Sequence, residues 1–283
     1  MTKKTYLLSQ DELRGLQLVL LDMLIELDRI CRKHGIRYCL DGGTLLGAVR
    51  HGGFIPWDDD LDVVMMRDEY NQFRKACETD LDKAKFFFQD HTTDHHYRWG
   101  FGRLRRKNSA FVRVGQEHLK MKTGIFLDVF PRDNVPDAKI GYLLHSMYCY
   151  VFRKLLYSEA GIVAGKNTVI RAWYKLLSMI PASFSFRRLE NLAVSCNRKK
   201  TLRVRTYAFP MLRKGRFGYN REWFEDVSEI DFEGHVFLCA QDYDGYLTNL
   251  YGDYMTPPPQ EKRHWHPVSK FKLPNKCGQE ELP

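Results

Sequence analysis

Four aspartates, Asp58, Asp59, Asp60 and Asp62, fall within five residues in the run WDDDLDVV. On an extended strand alternate residues share a face. Asp60 and Asp62 are therefore expected to project together, with Asp58 beside them if the strand reaches that far, and Asp59 turned away. Carboxylates that converge within a few ångströms repel and resist ionising together. A divalent cation relieves that repulsion, and all-oxygen ligation suits Mg²⁺ or Mn²⁺. A solvated acidic turn is the plainer reading, but Ile55, Pro56 and Trp57 on one side and Val63 and Val64 on the other give the acids an apolar setting. A further acid, Asp128, interrupts the apolar run GIFLDVF. A lone buried carboxylate is costly unless paired or ligated, and a cation held by Asp60 and Asp62 is its natural partner. Upstream, Gly42-Gly43-Thr44 follows a predicted strand and precedes a predicted helix. Glycine allows close backbone approach, and a helix N-terminus suits a phosphate. A Gly-Gly turn alone is weak; joined to the acidic strand it is specific.

The elements that must position these groups are legible in outline. Ser9-Gln10-Asp11-Glu12 reads as a capped helix start, and apolar residues recur at helical spacing from Leu13 to Ile30, ending near His34-Gly35. Ile36–Leu40 reads as a strand, Gly42-Gly43-Thr44 as a tight turn, Leu45–Arg50 as a short helix and DDDLDVVM as a second strand. An amphipathic helix is expected over 67–79 and strands near 86–90, 97–105, 110–114 and 125–130. After residue 137 the pattern turns helical, over about 139–157, 168–179 and 187–200. An aromatic, Pro-rich tail follows. The expected class is α+β: a mixed-sheet catalytic core over 1–137, then a helical middle and an irregular C-terminal segment over 138–283 that cover the substrate.

A net charge of +9 suits nucleic acid, an anionic membrane or phosphate-bearing substrates. No RRM, KH or helix-turn-helix signature accompanies it, so nucleic acid is not expected. The seven cysteines form no CxxC pair and read as buried thiols in a reducing compartment. No signal peptide and no run of about 18 apolar residues is present, which predicts a cytoplasmic protein. The helix over 139–157 reads first as a core helix. Its basic ends, with Arg187, Arg188, Arg198, Lys199, Lys200, Arg203 and Arg205 downstream, also admit peripheral contact with the inner membrane face.

The run LDGGTLLGAVRHGGFIPWDDDLDV resembles the N-terminal signature of the LicD family, to which the fukutin-related proteins also belong. FGRLRRKNS, GIFLDVFP and LYGDYMTPPPQEKRHWH resemble its further blocks, so the resemblance spans about 36 to 266. It implies a nucleotidyltransferase-like core in which Gly42 and Gly43 form the turn, Asp60 and Asp62 the acidic pair, Asp128 the third acid and Asp58 the acid preceding the pair. Asp58, Asp60, Asp62 and Asp128 are then the metal ligands, and Asp60, Asp62 and Asp128 the catalytic set. Asp41 receives no role. The implied reaction moves a phosphorylated alcohol from a CDP-linked donor, phosphocholine from CDP-choline in the best-known case, to a sugar of a cell-surface glycan of teichoic acid or lipopolysaccharide type, releasing CMP. The acceptor glycan would be carried on a lipid at the inner membrane face if the basic helical region touches it. Asp128 would help deprotonate the acceptor. Arg50, Arg103 and Arg105 are expected to hold donor phosphates, because arginine pairs with them bidentately. Thr44, Trp57, Tyr251, Asp253 and Tyr254 complete the expected substrate contacts. Trp57, Tyr97, Trp99, Tyr254 and Trp265 are candidates to cage a quaternary ammonium; His264 and His266 alone are too few for zinc. Phosphoribitol or phosphoglycerol as cargo, and nucleotidyl transfer releasing pyrophosphate, stand as alternatives.

Overall fold

A computed structural model describes residues 6–209, 218–263 and 266–274. Its elements run α1 (Gln10–His34), β1 (Cys39–Leu40), α2 (Gly42–His51), β2 (Asp62–Met66), α3 (Arg67–Asp80), β3 (Phe86–Gln89), β4 (Gly102–Arg106), β5 (Ala110–Arg113) and β6 (Phe126–Asn134). The helices α4 (Lys139–Leu156), α5 (Ser158–Ala164), α6 (Thr168–Leu177) and α7 (Ala182–Asn197) follow. The chain closes with β7 (Arg203–Arg205), β8 (Tyr219–Asn220), α8 (Glu222–Glu225), β9 (Val227–Phe232), β10 (His235–Ala240), α9 (Tyr243–Tyr251) and β11 (Val268–Lys272). The class is α+β, as expected.

The helix α1 begins as its sequence dictates. Ser9 accepts from the Glu12 amide while the Glu12 carboxylate accepts from the Ser9 amide, a reciprocal cap. Gly35, at φ 64°, ends the helix in the left-handed conformation that glycine adopts without strain. Its inner face, from Leu13 to Cys31, is buried, and it packs against α3, β4 and β6.

The main sheet has the order β1–β2–β6–β4–β3, with β7 and β8 continuing from the far end of β6. Among the described strands only β2 and β6 run parallel. All nine residues of β6 are buried. Pro131 interrupts it without losing a ladder bond: β4 pairs with β6 up to Val129 and β7 from Asp133 onward, so the proline lies at the hand-over. The principal core lies under this sheet and α1 and includes Trp223, Phe232, Phe237, Tyr246 and Val268 from the C-terminal part. A second core joins α4 and α7 through Tyr142, Cys149, Phe152, Phe186 and Leu189.

Four expectations need adjustment. The first strand is only Cys39–Leu40, because pairing with β2 covers just those two residues. The expected Gly42-Gly43-Thr44 turn is itself the first turn of α2, with Asp41 before it. The acidic strand begins at Asp62, leaving Asp58 and Asp60 in the preceding loop. The C-terminal segment, expected to be irregular, supplies five strands and two helices. The described cysteines are free thiols, all buried except the half-buried Cys196.

Candidate active site

Register across the sheet makes the centre of the site. Asp62 on β2 is paired with Asp128 on β6, and Asp128 is paired in turn with Arg103 on β4. These three side chains therefore lie in a row on one face. The Asp62 amide donates to Thr44 Oγ1 (2.9 Å) and the Asp41 amide to the Asp62 carbonyl (3.0 Å), which fixes the start of α2 against the start of β2. Buried Thr44 thus ties backbone to backbone.

Asp58 and Asp60 enter from the loop. The Asp58 carboxylate lies so close to α2 that a Cβ on Gly43 would meet its Oδ2 at 3.0 Å. Glycine at 43 therefore serves the approach of an acid to a helix N-terminus, the end at which negative charge is stabilised. Desolvation, then the charge of Asp60, pushes the Asp58 pKa well up. Asp62 is raised in the same way, by desolvation and then by Asp60, Asp128, Asp41 and Asp58. Crowded carboxylates resist ionising together.

Arg103 behaves differently from expectation. Its guanidinium donates to both oxygens of Asp128, at 2.5 and 3.3 Å, and lies 3.8 Å over the Phe126 ring. It serves the third acid, where a phosphate contact was expected. Arg105, two residues on, is 1% exposed and donates to Gln89 and to the Gly124 carbonyl (2.7 Å). Burial and the neighbouring Arg103 lower its pKa to about 9.

Asp59 turns its carboxylate to His266, and it does so from the loop before β2, where strand alternation does not apply. It accepts from the His266 amide and faces His266 Nδ1, both at 2.8 Å. Asp60 accepts from Arg113 at 3.0 Å. The ligand atoms of Asp59, Asp60 and His266 lie within 4.8 Å of one another, close enough to hold a metal ion; no other such group occurs among the described residues. Both oxygens of Asp59 are already committed to His266, however. Asp60 is the member shared with the crowded cluster of Asp58, Asp62 and Asp128.

Asp41, unassigned from sequence, is buried and accepts from Arg132 (2.9 Å) and from the Tyr246 hydroxyl. Arg132 in turn lies 4.6 Å over Tyr219. This charged network, which holds the N-terminal end of α2 to β6 and α9, had no local signal in the sequence.

Beside the acids opens a groove of about 360 Å³. Gly43, Arg50, Trp57, Asp58, Tyr251, Asp253 and Tyr254, seven of the expected site residues, line it together. Arg50 donates to the Tyr254 carbonyl at 3.0 Å, and Arg263 lies 4.4 Å over the Trp57 ring. The Tyr254 hydroxyl donates to Asp244 at 2.6 Å, a bond that pushes its pKa up to about 12. Asp253 accepts from Thr256 at 2.8 Å. Gly42, at φ 51°, places Tyr251 above the helix start, where an added Cβ would lie 3.6 Å from its hydroxyl. Burial, then Asp41, Asp58 and Asp62, holds that hydroxyl protonated. Of the remaining aromatic candidates, Tyr97 is buried within 6.0 Å of Arg103, and Trp99 packs on Tyr157. Trp265 and His264 lie outside the described residues. A larger cavity, of about 740 Å³, lies between α3 and α7 and includes none of the acids.

A glycine-opened helix thus stands against carboxylates from two parallel strands, Asp62 and Asp128, and from the loop that carries Asp58 and Asp60. The family model described as the nucleotidyltransferase domain of LicD, FKTN and FKRP matches residues 35–147. The lipopolysaccharide cholinephosphotransferase LicD of Haemophilus influenzae is 31% identical over 275 residues, covering 91% of this chain and 97% of its own. The ribitol 5-phosphate transferase FKRP of Homo sapiens is 66% identical over 29 residues, 10% of this chain and 6% of its own. The chain belongs to the LicD family.

Proposed function

We propose that the chain is a metal-dependent phosphotransferase that moves phosphocholine from CDP-choline to a sugar of a cell-surface glycan, with release of CMP. The observation that carries this is the row Asp62–Asp128–Arg103 with Asp58 and Asp60 converging on it, beside a groove that opens at the start of α2. The full-length similarity to a cholinephosphotransferase supports the cargo and the glycan class.

The donor set suits a hard divalent cation, Mg²⁺ or Mn²⁺, because it is all oxygen and Asp58 and Asp62 are crowded by neighbouring carboxylates. Asp58, Asp60, Asp62 and Asp128 would hold it, and it would offset charge developing on the departing nucleotide. The acceptor hydroxyl oxygen forms a bond to the distal phosphorus, the bridging P–O bond to CMP breaks, and the hydroxyl proton passes to a base. Asp128 is the nearest candidate base on β6. Its carboxylate is engaged by Arg103. Arg50 lies in the groove and suits the donor diphosphate. The Trp57 ring, over which Arg263 lies, is a face of the kind that suits a quaternary ammonium, and this supports choline as cargo. Tyr251 and Tyr254 wall the same groove. A second reading, phosphoribitol as cargo, rests on the short match to the ribitol 5-phosphate transferase.

The test is incubation of purified protein with Mg²⁺, a glycan acceptor and CDP-choline, CDP-ribitol or CDP-glycerol, with chromatography of the products. CMP released from CDP-choline by the wild type and lost in Asp60→Ala is the expected result. Pyrophosphate released from a nucleoside triphosphate, with no CMP from any donor, would sink the reading.

A further inference from the structure

The helix α4 is apolar on both of its faces. Tyr142, Cys149, Phe152 and Leu156 point into the second core. On the outer side Ile140, Leu144, Met147 and Val151 are each more than half exposed, at helical spacing. The helix α6 goes further, for none of its residues is buried. Val169, Trp173 and Leu176 recur at steps of four and three along one side and are 78%, 58% and 57% exposed. Lys154 on α4 donates to the Tyr174 hydroxyl on α6 at 3.0 Å, which joins the two helices. A helix that is hydrophobic all round, or one that is apolar outward, calls for a covering from outside the chain.

Charge identifies the covering. Residues 139–189 contain eight lysines and arginines and one acid, Glu159, so seven of the nine net positive charges lie in this segment. Glu159 is engaged by Arg98. Lys166 and Lys175 flank the α6 stripe and are exposed. A second copy seated face to face would set this basic segment against itself, because a twofold contact pairs like with like. An anionic bilayer supplies both an apolar interior and negative headgroups. Among the described residues no helix is long and apolar enough to cross a membrane, so the contact lies in the interface plane. We propose that the outer faces of α4 and α6 form a docking surface for an anionic lipid bilayer. The proposal rests on this surface alone and not on the transfer reaction.

The test is co-sedimentation of the full chain with vesicles of phosphatidylcholine alone or mixed with phosphatidylglycerol, at low and at high salt. The chain should pellet with the anionic vesicles, less so at high salt, and remain in solution with neutral ones. Met147→Glu with Trp173→Glu should weaken binding about tenfold or more, as expected for charges placed on an inserting face. Lys166→Gln with Lys175→Gln, changes at exposed positions, should flatten the salt dependence. Asp60→Ala should bind like the wild type, which separates this surface from the reaction centre. A wild type that stays in solution with anionic vesicles at low salt overturns the proposal. So does light scattering that finds a dimer which Trp173→Glu splits into monomers.

Discussion

Asp128 illustrates how a single residue takes its meaning from its neighbours across a sheet. Its burial and its place among apolar residues mark it in the sequence, and its pairing with Asp62 follows from β2 and β6 being parallel. Its pairing with Arg103 does not follow from any local pattern, because β4 arrives by a different connection and in antiparallel register. Arg103 therefore reads as a phosphate ligand in the sequence and as the partner of an acid in the fold. His266, the partner of Asp59, and Arg132, the partner of Asp41, were hidden for the same reason: each contact spans about ninety residues or more of chain. Gly43 makes the sharpest single-residue prediction. Gly43→Ala places a methyl 3.0 Å from Asp58 Oδ2 and displaces that carboxylate by a few tenths of an ångström. Turnover should fall about tenfold, because reacting groups tolerate little misplacement, while the thermal midpoint stays within about 2 °C. Unchanged CMP release in a folded Gly43→Ala protein would remove Asp58 from the reaction centre.

At the scale of elements, those with strong local signals were legible. The capping box of α1, its glycine end and its apolar stripe placed that helix closely. Of the helices of the middle segment, α4, α6 and most of α7 followed from periodicity and the short α5 did not, yet periodicity could not say which face of α4 meets the core and which stays outside. The short strands β7 and β8 carry too few residues to alternate visibly, and the extended acids of the 58–60 loop mimic a strand without having a partner. The contact that clamps α2 to β6 and α9 through Asp41, Arg132 and Tyr246 is wholly buried. Arg132→Met strands the Asp41 carboxylate without its cation and should cost about 3 kcal/mol or more in denaturant unfolding. Adding Asp41→Asn to that variant should recover part of the loss. Additive destabilisation in the double variant would show that the two side chains do not act as a pair.

For the molecule as a whole, pH acts through His145, which is 5% exposed within the second core and packs against Tyr207. Burial, then the charge of Arg205, lowers its pKa to about 4. The folded state therefore favours neutral imidazole, and the unfolded chain binds the proton first as pH falls below about 6.5. Stability is full above that value and is lost progressively down to about 4. At pH 4.5 the loss should be on the order of 2 kcal/mol relative to neutral pH, and His145→Gln should lack that share of the acid sensitivity in a pH series of unfolding curves. An identical pH dependence in the two proteins would exclude the residue as a cause. The acid loop, finally, is fastened from the far end of the chain. The amide of Glu233 donates to the Gly52 carbonyl at 2.8 Å, its carboxylate accepts from the Phe54 amide and from Arg14, and His266 holds Asp59. During synthesis these fasteners emerge long after the acids they hold. A chain made from its N-terminus therefore cannot hold the acid loop in this arrangement until residue 266 has joined it.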